Sequence, residues 1–425
     1  MPGHTLAMRF ARLRSLLTPP FRGFFLGRLI SLLGSAMTPV ALALAVLNAS
    51  GRPADLGVVL ASQIVPQLLL LLAGGAAGDR FSRRNVLVAA NLGAGLTQGG
   101  MAALLLTGRY TLALVAVLAA ANGMLQAFAS PALRGVVPEV VAAVDLQRAN
   151  SLLAATQNAA SILGPTAAGL LVAGAGGGWA IALDALSFVA AALLFTRLPA
   201  GSALPPGRKS LLADIGQGWR AFRAIPWVCT MALSFCALNL VNVGPWQVLG
   251  PELTRQHSSE AAWGMVLSVR AIGLFAMSVL MYRVVLKYPL RAGSLLGALG
   301  ALPLLALGLG LAVPWLAGCA FVGALGFTVE GIAWDTALQQ HVPRTMLSRV
   351  ASFDDLLSYA AIPVGELLVG PAAARFGGKA VALCCGIGYA LATLAPLAAR
   401  SVRDLPSVSD QEEPEKEASG APSGA

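Results

Sequence analysis

Twelve long apolar runs follow one another along the chain and are separated by short polar segments. Each run has about the 20 residues that a helix needs to cross the roughly 30 Å hydrocarbon core of a bilayer. The pattern therefore predicts an all-α polytopic membrane fold with twelve transmembrane helices. The runs lie at residues 24–48, 56–78, 86–107, 111–133, 152–173, 178–196, 227–249, 261–283, 290–312, 315–338, 356–374 and 380–399.

Composition strengthens this prediction and excludes other classes of protein. Hydrophobic residues make up 57% of the 425 residues and charged residues only 11%, whereas a soluble domain carries about 25% charged residues. An ordinary cytosolic enzyme, a disordered chain and a secreted disulfide scaffold are all excluded. The five cysteines lie in apolar runs without metal-ligand spacing, and the three histidines are scattered. We expect no metal, no cofactor and no catalytic site.

The net charge of +10 sets the predicted orientation. A nucleic-acid surface would need basic residues clustered on one face, but here they stand in short groups between apolar runs. With the N-terminus inside, 22 of the 29 Lys and Arg residues fall in inner segments and 5 in outer loops. This positive-inside bias, with an even number of spans, predicts that both termini are cytoplasmic.

An internal repeat divides the chain into two halves. Residues 132–138 and 337–343 both read Ala-Leu-x-x-x-Val-Pro, and they end the fourth and tenth runs. Such parallel repeats of six spans are one way to build a transporter. The predicted organisation is a basic N-terminus at 1–23, a six-helix half at 24–196, a cytoplasmic linker at 197–226 with a short helix at 211–223, a second half at 227–400, and a disordered acidic tail at 401–425.

The loop between the second and third runs reads Gly-Ala-Ala-Gly-Asp-Arg-Phe-Ser-Arg-Arg at residues 75–84. Its carboxylate can pair with an arginine or with a helix N-terminus, so the loop can latch two helices at the inner face and release them. The alternative is a basic loop that only sets topology. The order resembles the signature of the major facilitator superfamily, which implies a cytoplasmic gating motif formed by Gly75, Asp79, Arg80, Arg83 and Arg84.

Further segments over about residues 21–400 are similar to bacterial enterobactin exporters and macrolide efflux proteins. These segments include Arg-Ala-Asn-Ser at 148–151 and Asp-Ala-Leu-Ser-Phe at 184–188. The resemblance implies an exporter of a drug, siderophore or natural product that is driven by proton exchange and lies in the bacterial inner (cytoplasmic) membrane. The fifth run keeps Gly164, Pro165 and Gly169 of the exporter motif, but the fourth run lacks the arginine that many such exporters carry.

Five of the ionisable residues within the predicted spans are candidates for proton coupling. Charged groups there cost roughly 2.5–3.5 kcal/mol on the insertion scale, so they should face the bundle interior. Burial favours the neutral form of a carboxyl group, and a nearby arginine favours its charged form. A carboxyl group that is subject to both effects can bind and release a proton. A permanent ion pair is the alternative, with Glu330 or Glu366 as counter-charge of the arginine. The candidates are Arg270, Glu330, Glu366, Asp184 and Asp335.

The resemblance also implies a central cavity lined by the first, fourth, seventh and tenth spans. Its polar candidates are Thr38, Asn122, Gln126, Asn239, Asn242 and Glu330. Each of them could instead form a helix–helix hydrogen bond. The remaining wall should be apolar, which suits a lipophilic or amphipathic substrate.

The predicted function is proton-coupled export of a hydrophobic or amphipathic small molecule by rocker-switch alternating access. Its partners are that small molecule, protons and the lipid bilayer, with no nucleic acid, and the protein should be a monomer. An uptake carrier or an uncoupled facilitator of the same fold is the alternative. An integral-membrane sensor or enzyme is disfavoured, because no catalytic motif appears.

Overall fold

The protein is a nearly continuous succession of helices. We analysed a computed structural model that describes residues 18–50, 53–199, 211–257 and 260–408, and it contains no strand within these ranges. The helices are α1 Pro19–Ser50, α2 Pro53–Arg80, α3 Arg83–Leu106, α4 Leu112–Val140, α5 Leu146–Ala175, α6 Gly177–Phe195, α7 Leu211–Ala224, α8 Pro226–His257, α9 Glu260–Met281, α10 Pro289–Gly297, α11 Leu302–Gly308, α12 Val313–His341, α13 Leu347–Phe376, α14 Gly378–Leu394 and α15 Arg400–Arg403.

Helices occupy all twelve predicted spans, which confirms the polytopic all-α prediction. Ten helical stretches within the described ranges are long and apolar enough to cross a membrane, as judged by length and composition. The other two predicted spans are α3 and α5, which carry polar residues such as Asn91 and Asn158. The ninth span comprises α10, a 3-10 turn and α11. Pro303 follows this turn and has no N–H to donate to the carbonyl group four residues earlier.

Several helices extend beyond their apolar runs. The eleventh run was expected at 356–374, but α13 already begins at Leu347. The added turns at 347–355 contain polar residues such as Arg349 and Asp354. The helix therefore continues beyond the apolar run. The short helix predicted at 211–223 is observed as α7. The N-terminal residues 1–17, the linker residues 200–210 and the acidic tail from 409 onward lie outside the described residues.

The chain forms two compact units. One comprises Met1–Val141, Thr156–Trp219 and Pro343–Phe353, and the other comprises Ala142–Ala155, Arg220–Val342 and Asp354–Ala425. Two short segments, 142–155 and 343–353, thus cluster with helices that are remote in sequence. The division into halves at 24–196 and 227–400 stays a prediction.

The two units repeat the same helix pairings. In the first unit, α1 packs on α6, α2 on α4, and α3 on both α4 and α6. In the second unit, the helices six spans later pair in the same way: α8 with α14, α9 with α12, and the α10–α11 pair with both α12 and α14. Glycines allow close approach in both units. A methyl group at Gly123 would collide with the carbonyl group of Gln63, and one at Gly326 with that of Leu296.

Candidate functional site

The loop motif between α2 and α3 forms a buried charged network. Asp79 is 6% exposed and accepts hydrogen bonds from the backbone N–H groups of Ser348 and Arg349, each at 3.2 Å. These are free donors in the first turn of α13, where the helix dipole favours an anion. Asp79 also forms ion pairs with Arg83 and Arg349, each at 3.3 Å. The carboxylate therefore pairs with arginine and with a helix N-terminus at the same time.

Arg83 links four chain segments through this network. It is 5% exposed, and besides Asp79 it contacts the Glu139 carboxylate at 2.7 Å and the Gly135 carbonyl oxygen at 2.9 Å. It also donates to the carbonyl oxygen of Arg344. A planar guanidinium group with five N–H donors suits this role, which the single ammonium group of a lysine would not fill.

The other members of the motif take different positions. Gly75 contacts α13, where any larger side chain would collide with Ser352. Arg84 donates to the carbonyl oxygen of Leu198 at 3.5 Å. The guanidinium group of Arg80 lies 6.0 Å from the ring centroid of Phe81. The motif therefore combines a tight helix contact with one buried charge cluster.

Only one of the two glycines of the exporter motif in the fifth span packs closely against another helix. A methyl group at Gly164 would collide with Ala36 of α1, whereas Gly169 has open space around it. Pro165 lies within α5, next to this contact. Gly164 thus brings α5 and α1 together, and Gly169 does not contribute to that packing.

A cavity of about 310 Å³ lies among the helices of the first unit. Its volume falls in the range of pockets that hold small molecules. Ten of the fifteen residues that line this cavity are polar or charged. The polar residues are Arg28, Ser31, Ser35, Thr38, Gln63, Gln67, Gln98, Asn122, Gln126 and Asp184.

Asp184 of α6 is the acidic member of this wall and is 0% exposed. Its Oδ2 accepts hydrogen bonds from Thr38 Oγ1 at 2.6 Å and from Gln98 Nε2 at 3.1 Å. Its Oδ1 accepts from Ser35 Oγ at 3.4 Å and Ser187 Oγ at 3.3 Å. The four donors come from α1, α3 and α6, so Asp184 ties these three helices together.

Gln98 was not among the residues predicted for the site. It is 4% exposed, and its Oε1 has no hydrogen-bond partner among the described residues. An orphaned buried acceptor costs about 1–3 kcal/mol. A signal for it existed, because polar residues recur at helical spacing inside the apolar runs, as in Gln63 and Gln67 or Asn91 and Gln98. Such spacing places them on one helix face.

The predicted cavity residues divide between the two units. Thr38, Asn122 and Gln126 line the cavity of the first unit. Asn239, Asn242 and Glu330 belong to the second unit. The side-chain amide of Asn239 donates to the backbone carbonyl of Ser358 at 3.2 Å, so this residue forms the helix–helix hydrogen bond that was its alternative interpretation.

Glu330 of α12 is the most buried candidate carboxyl group of the second unit. It is 2% exposed, and its Oε1 lacks a hydrogen-bond partner among the described residues. A Cβ at Gly297 would lie 2.7 Å from Oε2, so the carboxyl group occupies space that this glycine leaves open. Tyr389, itself 1% exposed, lies within electrostatic range of both Glu330 and Arg270.

The position of Arg270 does not support the alternative of a permanent ion pair with a glutamate. The described residues contain no salt bridge from Arg270 to Glu330 or to Glu366. Instead, the Arg270 guanidinium group lies 5.5 Å from the ring centroid of Trp246, a cation–π contact. Glu366 is exposed and Asp335 is half-buried, so only Glu330 and Asp184 meet the expectation of a deeply buried carboxyl group.

Two further buried carboxylates escaped prediction. Asp354 and Asp355 are 3% and 1% exposed, and the Trp334 indole N–H donates to Asp354 Oδ2 at 3.0 Å. They were missed because the apolar run was taken to begin at residue 356. They belong to the early turns of α13, which begins nine residues before that point.

Comparison with known proteins adds family evidence to this geometry. The sequence model of the Major Facilitator Superfamily matches residues 24–365. The multidrug efflux pump Tap of Mycolicibacterium fortuitum is 29% identical over 389 residues, covering 88% of this chain and 93% of the pump. The enterobactin exporter EntS of Escherichia coli strain 536 is 27% identical over 376 residues, covering 87% and 89%.

Solved structures support the fold. The human organic anion transporter MFSD10 matches with a TM-score of 0.73 at 15% identity, covering 89% of this chain and 99% of that one. A bacterial homologue of the iron transporter ferroportin, in its outward-facing state, matches with a TM-score of 0.72 at 19% identity and the same coverage.

Proposed function

Because the chain belongs to the major facilitator superfamily of membrane transporters, we propose that it is a proton-coupled exporter of an amphipathic small molecule. The observation that carries the proposal is the cavity of about 310 Å³ lined by amides and by Asp184. A pocket of this size suits a drug or natural product. Relatives named as a multidrug efflux pump and an enterobactin exporter support export of such compounds.

Glu330 is the residue we propose for proton coupling. A carboxylate removed from water loses several kcal/mol of solvation unless a charge or hydrogen bonds replace it. No salt bridge to Glu330 occurs among the described residues, and its Oε1 is unpartnered there. Proton binding removes the charge. Glu330 can therefore bind a proton when it is accessible from one side of the membrane and release it when it is accessible from the other. Glu366 stays a second candidate, although it is exposed.

The Asp79 network supports rocker-switch alternation. It joins the last turn of α2 to the N-terminus of α13 by hydrogen bonds and ion pairs. Such contacts have two discrete arrangements, made or broken, and can define one conformational state. On this proposal the network lies on the cytoplasmic side of the bacterial inner membrane. Both termini also lie on that side, and the protein acts as a monomer.

Accumulation of a fluorescent cationic dye in an efflux-deficient bacterial strain tests the proposal. Cells that make the protein should hold less dye than vector controls, and a protonophore should remove the difference. Glu330→Gln should abolish the difference as well. Glu252→Gln is the matched control, because Glu252 also lies in a membrane helix but is exposed, and it should behave like wild type.

Other results would contradict the proposal in distinguishable ways. Higher accumulation than in the vector control indicates an uptake carrier. A difference that survives the protonophore indicates a carrier without proton coupling. Wild-type export by Glu330→Gln, with loss of export by Glu366→Gln, would transfer the coupling role to Glu366.

A further inference from the structure

Gln98 lines the cavity and carries a buried hydrogen-bond acceptor that is unpartnered among the described residues. Its side chain is buried and lines the cavity. Its Nε2 donates to Asp184 Oδ2 at 3.1 Å, while its Oε1 has no partner among the described residues. A buried polar atom without a partner needs an explanation, and a ligand group is one of the few available.

Asp184 determines which end of the Gln98 amide is left unused. An ionised carboxylate accepts hydrogen bonds and cannot donate them. The amide must therefore turn its NH2 group toward Asp184, and its oxygen is left as an acceptor. Thr38 and Ser35 also donate to the Asp184 carboxylate, and the hydroxyl of Ser187 is shared between Asp184 Oδ1 at 3.3 Å and the Asp184 backbone carbonyl oxygen at 2.7 Å. Asp184 thus holds the amide of Gln98 by its NH2 group, and the Gln98 Oε1 stays a buried acceptor without a partner among the described residues.

We infer that the cavity recognises its substrate through an N–H or O–H group that donates to Gln98 Oε1, with Asp184 as the positioning residue. The substrate class is then an amphipathic molecule with at least one unmethylated amine, amide or hydroxyl group at its polar end. This inference rests on the proposed export function. It adds a requirement for a hydrogen-bond donor on the substrate, which neither the fold nor the names of the relatives imply.

Two matched dyes test the requirement on the purified full-length protein. One is a rhodamine methyl ester with unsubstituted amino groups, and the other is its tetra-N-methyl analogue, which has the same core and charge but no N–H donor. Dye anisotropy gives both dissociation constants. Wild-type protein should bind the first dye about tenfold more tightly, as expected for one additional hydrogen bond to a buried acceptor. Gln98→Met should reduce this ratio to about one.

The chain offers a matched control for Gln98→Met. The amide of Gln340 also donates one hydrogen bond, to the Ala143 carbonyl oxygen at 3.0 Å, and its Oε1 is likewise buried without a partner among the described residues. Gln340 does not line the cavity, so Gln340→Met should keep the wild-type ratio. Asp184→Asn should also lower the ratio, because an asparagine can donate to the Gln98 oxygen and allow the amide to turn over.

If Gln98→Met does not fold, Gln98→Asn provides the same test. It keeps an amide but withdraws the oxygen by one methylene, and the ratio should again fall toward one. Wild-type protein that binds both dyes equally, or binds neither, overturns the inference. So does a Gln98 variant that keeps the wild-type ratio. The proposed export function fails separately, through the accumulation assay.

Discussion

Replacement of Asp79 by asparagine should open the contact between the end of α2 and the start of α13. Asp79 is 6% exposed, and its carboxylate accepts two backbone N–H groups while forming ion pairs with Arg83 and Arg349. Removal of one partner from a buried ion pair costs about 3–5 kcal/mol. Because asparagine keeps one acceptor oxygen, we use the lower end of this range and expect the closed contact to be destabilised by about 3 kcal/mol. This free energy corresponds to about a hundredfold shift of the equilibrium from closed toward open contact.

Maleimide labelling of a cysteine at position 352 measures this equilibrium. Ser352 is 1% exposed and lies against Gly75, so Ser352→Cys should label slowly while the contact is closed. The five native cysteines are replaced first. When opening and closing are fast, the labelling rate follows the open population, so Asp79→Asn should raise the rate about a hundredfold.

A second cysteine separates local opening from unfolding. Ser278 in α9 is 0% exposed, and Ser278→Cys should stay unlabelled in both backgrounds. A rate at position 352 that changes less than about threefold would refute the reasoning, because the carboxylate would then not stabilise the contact. Labelling at both positions would mean that the substitution unfolds the protein.

Two other predictions concern packing and backbone hydrogen bonds. Gly164→Ala should lower the thermal stability in detergent by about 1–3 kcal/mol through overpacking against α1, whereas Gly169→Ala, in open space, should leave it within about 0.5 kcal/mol of wild type; equal effects would show that α5 does not pack as described. Gln147 accepts from the Leu286 N–H and donates to the carbonyl groups of Met281 and Val284. Gln147→Leu should therefore speed proteolysis of the loop at 282–288 at least about tenfold, and an unchanged cleavage rate would contradict this.

Hydrophobic pattern predicted the fold well because membrane helices carry a strong local signal. All backbone polar groups must be satisfied within the bilayer, so a run of 20 apolar residues can form little else than a helix. The resemblance of the loop at 75–84 predicted the charged network, and both suggested partners of Asp79 proved to be present together. The partner helix α13 was not predictable, because nothing near residue 79 encodes contact with residue 348.

The sequence identified only some of the polar residues that line the cavity: Thr38, Asn122 and Gln126 were named, and Gln98 was not. An asparagine or glutamine in an apolar run has the same sequence signature whether it bonds to a neighbouring helix or lines a cavity. Asn239 does the first and Gln98 the second. Likewise, Arg270 was expected to have an acidic partner, but its neighbour is the ring of Trp246. Which groups meet depends on helix rotation and register, which hydrophobicity along one helix does not determine.

Local chemistry along the chain was sufficient to establish the number of spans and the helical class, and it identified two of the deeply buried carboxyl groups, Asp184 and Glu330. These properties depend on the free energy of each segment in lipid, which adds up residue by residue. The tertiary structure decided which groups share a site: Asp184 with donors from three helices, and Gln98 with one acceptor left unused. Hydrogen bonds act over about 3 Å, so they depend on positions that only the packed helices define.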